Sequence, residues 1–156
     1  MKITSKLIKN YLHNMQNLLD DINILKDEIK VLRKEYTDNE MLHPLQASTI
    51  TDMPSSNSNN NFSQVENFIE KRQLYLKDLI IDELQLRALY ISINVTVNRL
   101  NSSEKNIWSK KYKDKKKLEE IAKSLNYSIR YVQSLDKKMI DRILNMYMSK
   151  IKFLND

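Results

Sequence analysis

Apolar residues at Ile8, Tyr11, Met15, Leu18, Ile22, Leu25, Ile29, Leu32 and Tyr36 advance in steps of three and four, with Asp, Asn, Lys, Glu and Gln between them. That period predicts one long helix over residues 5–36 whose seam must be buried against another helix. Leu12, Leu19, Ile24 and Val31 flank the seam and widen it, as packing against more than one neighbour would require. The pattern returns at Ile69, Arg72, Leu76, Leu79, Glu83, Leu86, Tyr90, Ile93, Val97 and Leu100. It predicts a second helix over 63–99, with Ser63 as N-cap and Glu66 completing a capping box. Arg72 and Glu83 interrupt this seam, as residues that fix register or lie at an exposed end do. The two helices are expected to pair antiparallel as a coiled-coil-like hairpin within one chain. Pairing between two chains in a homodimer satisfies the same pattern.

Between them the period fails. Residues 37–62 hold both prolines, Pro44 and Pro54, and a Ser/Asn run from Ser55 to Asn61, which predicts a flexible loop. Within it Ile50–Pro54 combines two apolar side chains with an Asp and is expected to be ordered. His13 and His43 are the only histidines, and neither has a partner at metal-ligand spacing.

Beyond residue 99 the elements shorten. Ser102 or Ser103 is expected to cap a helix from Glu104 to about Lys113, with Ile107, Trp108 and Tyr112 on its apolar face. In Leu118–Lys137, the apolar residues Leu118, Ile121, Leu125, Tyr127, Val132 and Leu135 fall at helical spacing on either side of Asn126. Ala122 sits where two steeply crossing helices come closest. Asn126 stands where the chain needs a positive φ, which asparagine tolerates best after glycine. Ser128 comes next as N-cap of the second of these helices. These features predict a helix-turn-helix, against which Trp108 is expected to pack. The apolar face then continues through Met139, Ile140, Ile143, Leu144, Tyr147, Met148, Ile151 and Leu154. This long extension needs a cover, either the hairpin or the same helix of a second subunit, and Met146 and Met148 make its surface adaptable.

Composition sharpens this picture. The 156 residues include no glycine, no cysteine and two prolines, which favours long helices and excludes disulfides and cysteine-ligated zinc. The net charge is +6. Residues 1–99 carry 12 Lys/Arg against 13 Asp/Glu, and residues 100–156 carry 14 against 7, so the positive excess lies wholly in the C-terminal segment. That asymmetry fits a basic DNA-binding domain on a near-neutral carrier. No apolar run approaches a membrane span, and the first residues lack the apolar core and cleavage site of a signal peptide. A cytoplasmic protein with no membrane partner is expected.

Catalytic patterns are missing. There is no Gly-rich phosphate loop, no cysteine nucleophile and no His-Glu metal motif, and the carboxylate pairs Asp20-Asp21, Asp82-Glu83 and Glu119-Glu120 lie beside lysines as solvated faces do. The chain is expected to be no enzyme and to need no cofactor or metal. For DNA, the residues expected to face the major groove are Ser128, Ile129, Arg130, Gln133, Ser134 and Lys137, with Tyr131 beside them. Arg130 suits guanine and Gln133 adenine, each in bidentate fashion. Lys110–Lys117 holds six lysines in eight residues, and Lys115, Lys116 and Lys117, with Lys138, are the candidates for phosphate.

The segment from Leu100 to Leu144 resembles region four of bacterial sigma factors. The shared pattern is Leu100, a Ser/Thr position, Glu104, Ile107, Tyr112, Leu118, Glu120, Ile121, Ala122, Leu125, Ser128 and Val132. No counterpart of the promoter-melting region of sigma factors is recognisable. The wider arrangement, an N-terminal coiled region, a loop containing Thr51–Pro54 and this C-terminal motif, is similar to phage regulators of the RinA/ArpU type. In that group the loop is often glycine-rich after the proline, whereas here it is Ser/Asn-rich. The resemblance implies a sigma-like, winged-helix-superfamily activator of phage late genes, acting on double-stranded DNA in a bacterial host with host RNA polymerase as a further partner. The expected organisation is therefore all-α, with a helical hairpin over 1–99, its flexible loop at 37–62, and a helix-turn-helix domain over 100–156. The alternative is a phage small terminase subunit, which joins the same motif to a large ring. A weaker alternative is a coiled-coil adaptor that binds no DNA.

Overall fold

Long apolar periods without glycine fold here into helices alone. The computed structural model describes residues 3–47 and 59–152, and no strand occurs among them. The helices are α1 (Ser5–His13), α2 (Met15–Ala47), α3 (Asn59–Asn98), α4 (Ser102–Trp108), α5 (Leu118–Leu125) and α6 (Ile129–Ile151), with α4 running directly into a π-helical turn, Ser109–Lys113. The protein is all-α, as its periodicity predicts.

Contacts divide the chain into two units, one of the residues up to Ile22 together with those from Leu84 onward, the other Asn23–Glu83. This differs from a division at residue 99, because α1 packs on α6 and on the π-helical turn. In the first unit, Thr4 caps α1 by accepting the Leu7 N–H at 3.3 Å. The helix expected to run unbroken from 5 to 36 stops at Asn14, whose φ of −147° and ψ of 83° are not helical. Asn14 starts α2 afresh: its carbonyl accepts the Asn17 N–H at 3.2 Å and its amide donates to the Asn17 side chain at 2.6 Å. Asparagine competes with the helix in this way because its side chain reaches nearby backbone and cap positions. Across the break, Tyr11 of α1 donates to Asp21 of α2 at 2.9 Å, and burial followed by that bond and the Asp21 charge pushes the phenol up to about 12.

The core of this unit is formed by Ile8, Leu18, Leu89, Ile93, Ile143 and Tyr147, all but closed to solvent. The long apolar extension of α6 therefore finds cover inside its own chain. Met139, Ile140, Ile143, Tyr147 and Ile151 are buried, while Met148 remains exposed.

In the second unit Ile29 of α2 and Leu79 of α3 are buried on the predicted seams. Tyr75 donates to Glu28 at 2.6 Å, and Arg72 pairs with Glu35, so these stretches of α2 and α3 run in opposite directions. Arg72, an interruption of the seam by pattern, is thus an ion-pair partner. Ile24 and Val31 do not widen the seam. They are 61% and 57% exposed, because they lie across the helix from Ile22 and Ile29.

The loop expected over 37–62 is shorter than its sequence suggests. α2 continues through Ala47 and α3 begins at Asn59. Pro44 falls in the last turn of α2, where its missing N–H removes a single intrahelical bond. Ser63 is not the N-cap, since α3 has already begun four residues earlier and local cap preference yields to a longer helix. The remainder of that loop, with Ile50–Pro54, lies outside the described residues.

The packing of α1 on α6 gives a direct expectation. Ile8→Ala empties a site with 0% exposure and should cost about 2–5 kcal/mol, whereas Ile24→Ala should change stability by no more than about 0.5 kcal/mol. Urea unfolding followed by circular dichroism checks both.

Candidate nucleic-acid interface

Two short helices, α4 and α5, and the start of the long α6 build the region around Asn126. α4 is opened by Asn101, not by Ser102 or Ser103: its side chain accepts the Glu104 N–H at 2.8 Å, and Glu104 accepts the Asn101 N–H at 3.1 Å. This reciprocal pair leaves Glu104 buried, where it also takes an Arg142 N–H at 2.9 Å. α5 begins after Lys117, whose N–H donates to the Glu120 carboxylate at 3.3 Å. It ends at Asn126, in the left-handed region with φ 54° and ψ 39°. The Tyr127 N–H then reaches back to the Ala122 carbonyl at 3.0 Å, satisfying a group the helix end would otherwise leave open. Ser128 opens α6, its hydroxyl accepting the Tyr131 N–H at 3.2 Å.

The turn is locked by a small core. Ile107, Ile121, Ala122 and Val132 are buried together, with Leu118, Leu125, Tyr127 and Leu135 packed against them. Ala122 is 3% exposed between the two helices, where its small side chain lets them approach closely. Tyr127 adds a hydrogen bond from its hydroxyl to Ser103 at 3.3 Å and an edge contact with the Tyr131 ring at 5.0 Å. Trp108 is half-buried beside Leu135 and Met139, and the ammonium of Lys113 sits 4.9 Å above its ring.

All the side chains expected to meet DNA lie at the surface: Ser128, Ile129, Arg130, Tyr131, Gln133, Ser134, Lys137 and Lys138 on α6, and Lys115, Lys116 and Lys117 before α5. Arg130, Ser134 and Lys137 share one flank, opposite the buried Val132, Asp136 and Met139, and Gln133 borders it. Tyr131 leans toward Tyr127, and Lys138 stands one turn beyond Ser134 on the same side. The six lysines of 110–117 are not equivalent. Lys111 is engaged by Asp136 and the exposed Lys113 lies over the Trp108 ring, whereas Lys115, Lys116 and Lys117 are exposed with no such side-chain contact among the described residues. Lys115 adopts φ 54°, and the Lys116 N–H closes the loop onto the Lys110 carbonyl at 2.9 Å.

One group of residues escapes the motif-based prediction. Asp136 is buried in the apolar face of α6 and accepts from the Lys111 ammonium at 2.5 Å and the Tyr112 hydroxyl at 2.7 Å. Burial, then the Asp136 charge and this hydrogen bond, push the Tyr112 phenol far above its ordinary range. His13 closes the cluster with its ring 4.8 Å from that of Tyr112. The signal is present in the spacing, since Asp136 continues the series Val132, Met139 and Ile143 at a position where an apolar residue is expected.

No protein-family model matches the chain, nor does any curated protein or any solved structure. Among the described residues no cluster of His, Cys, Asp and Glu is arranged to hold a metal ion, and no helix is long and apolar enough to cross a membrane.

The cluster generates two expectations. Tyr112→Phe removes one of two donors to a buried carboxylate and should cost about 1–3 kcal/mol in urea unfolding. The His13 pKa is lowered from 6.5, first by partial desolvation against its neighbours and then by Lys111, with Lys115 adding to the effect and Asp136 opposing it. The unfolded chain therefore takes up this proton before the folded one does. Its contribution is present above pH 6.5 and lost as pH falls through the lower, folded value. Proton NMR should place the His13 midpoint below 6.5, and His13→Asn should flatten the decline in stability on acidification.

Proposed function

We propose that this protein is a sequence-specific DNA-binding regulator of transcription, in which α5 and α6 form a helix-turn-helix and the start of α6 enters the major groove. The observation that carries this is the exposed flank of Arg130, Gln133, Ser134 and Lys137 on a helix fixed at its root by the Ser128 cap and the Ile121–Val132 core. A helix that reads bases must offer polar side chains while its own position is set by packing, and this one does both. Arg130 and Gln133 are the base-reading residues. Lys115, Lys116 and Lys117, with Lys138, supply phosphate contacts, and the concentration of positive charge beyond residue 99 supplies the long-range attraction.

The resemblance to sigma region four supports an activator of phage late genes that works with host RNA polymerase in the cytoplasm of its host. In this reading the paired stretches of α2 and α3 form a coiled-coil-like hairpin that carries the motif and serves homodimerisation.

The test is duplex binding at several salt concentrations, with light scattering on the same sample. Arg130→Ala combined with Gln133→Ala should abolish preference for a selected duplex, at about 1–3 kcal/mol per lost base contact. Replacing Lys115, Lys116 and Lys117 by Ala should weaken all duplexes alike and flatten the salt dependence. A dimer or monomer agrees with the regulator, a large closed ring would favour the packaging alternative, and absence of binding at low salt would remove both.

A further inference from the structure

A cleft opens between the end of α3 and the middle of α6, lined by Thr96, Arg99, Arg142, Asn145, Met146 and Ser149. No carboxylate is among its described lining residues. Thr96 is buried and its hydroxyl approaches the Met146 sulfur at 4.0 Å, so part of the floor is a thioether. Arg142 donates one N–H to Glu104, yet its side chain remains 54% exposed. A guanidinium has further N–H donors to offer. Arg99 is exposed just beyond the end of α3, and Asn145 and Ser149 are exposed on the same flank as Arg142. Lys138 precedes Arg142 by one turn on that flank.

Ser134 and Lys138 continue this flank toward the start of α6, while Arg130 and Lys137 are turned aside from it. Asn145 also lies about 22 Å along the helix axis from Arg130 at the usual rise per residue. A duplex held by the first turns of α6 therefore leaves the cleft without an occupant. Its lining combines guanidinium, amide and hydroxyl donors with a polarisable apolar floor. A free phosphate would use the donors and leave Met146 uncovered. A peptide bearing carboxylates beside an aliphatic side chain would use both, since guanidinium binds carboxylate through paired hydrogen bonds and methionine adapts to varied apolar shapes.

We propose that this cleft docks an acidic peptide segment of a partner protein, with carboxylates on Arg99 and Arg142 and an apolar side chain on Met146. The proposal does not depend on DNA binding. The probe is a fluorescein-labelled peptide of Asp and Glu with interspersed Leu, titrated with the full chain and followed by anisotropy. Arg142 is left intact because it neutralises buried Glu104. The variants are Arg99→Glu and Asn145→Asp, each checked by thermal melting. The expected result is saturable binding that weakens about tenfold or more in either variant. It should be lost when Asn and Gln replace the acidic residues of the peptide. Binding unchanged in both variants would overturn the proposal, as would a loss caused instead by Lys115→Glu with Lys116→Glu, which would indicate diffuse attraction to the basic loop. A parallel loss of duplex affinity in Arg99→Glu would make the cleft a phosphate site and overturn it equally.

Discussion

A carboxylate that folding removes from water must be answered by charge and hydrogen bonds, or it opposes folding by several kcal/mol. Asp136 is answered twice, by Lys111 and by Tyr112, two consecutive residues of the π-helical turn. That pairing fixes α6 against the π-helical turn that follows α4, on the side away from Arg130 and Lys137. Tyr112 is in turn covered by the ring of His13, at the end of α1. One buried charge thus links the N-terminal helix, the support turn and α6. A second buried carboxylate, Glu104, makes a parallel link through Arg142 and the cap of α4. Removing either acid alone would strand the donors that meet it, so each holds its elements in place through the contacts it completes.

The absence of glycine imposes a second constraint. Among the described residues two occupy the left-handed region, Asn126 and Lys115. For a side chain with a Cβ this conformation costs about 1–2 kcal/mol, least for asparagine. At Asn126 the cost is offset by the Tyr127 bond to Ala122 and by the packing of Tyr127 into the core. At Lys115 the loop is closed by the Lys116 bond to Lys110, and the conformation leaves three consecutive lysines exposed before α5.

These two positions mark what the sequence reveals and what it hides. Asn126 is legible because asparagine, a preceding small residue and a succeeding Ser cap occur together at one spacing. Lys115 is not, since lysine carries no local signature for a positive φ. Likewise the core of Ile107, Ile121, Ala122 and Val132 follows from periodicity alone. The break at Asn14 does not, because the apolar steps run through it without interruption and only the non-helical backbone and local bonds of Asn14 reveal it. Ile24 and Val31 show the opposite failure, since their apolar character suggests burial although they face away from the seam. Asp136 is hidden by its charge. A motif search discards an acid inside an apolar stripe, although its partners lie in the lysine-rich run just upstream.

The length of α6 connects these features. Its 23 residues span about 34 Å at the usual rise, far more than a groove-reading helix requires. Alone, the far half would expose Ile143, Tyr147 and Ile151. In the folded chain these are buried, because the break at Asn14 lets α1 lie on α6 while the end of α3 reaches the helix from another side. The N-terminal segment is therefore part of the support of α6, not a separate appendage. A helix held so far along its length leaves distinct flanks, and each can serve a different purpose: one to the core, one with Arg130 and Lys137, and one with Arg142 and Asn145. Substitutions on one exposed flank should then leave the other intact, because the contacts that position both lie in the core between them.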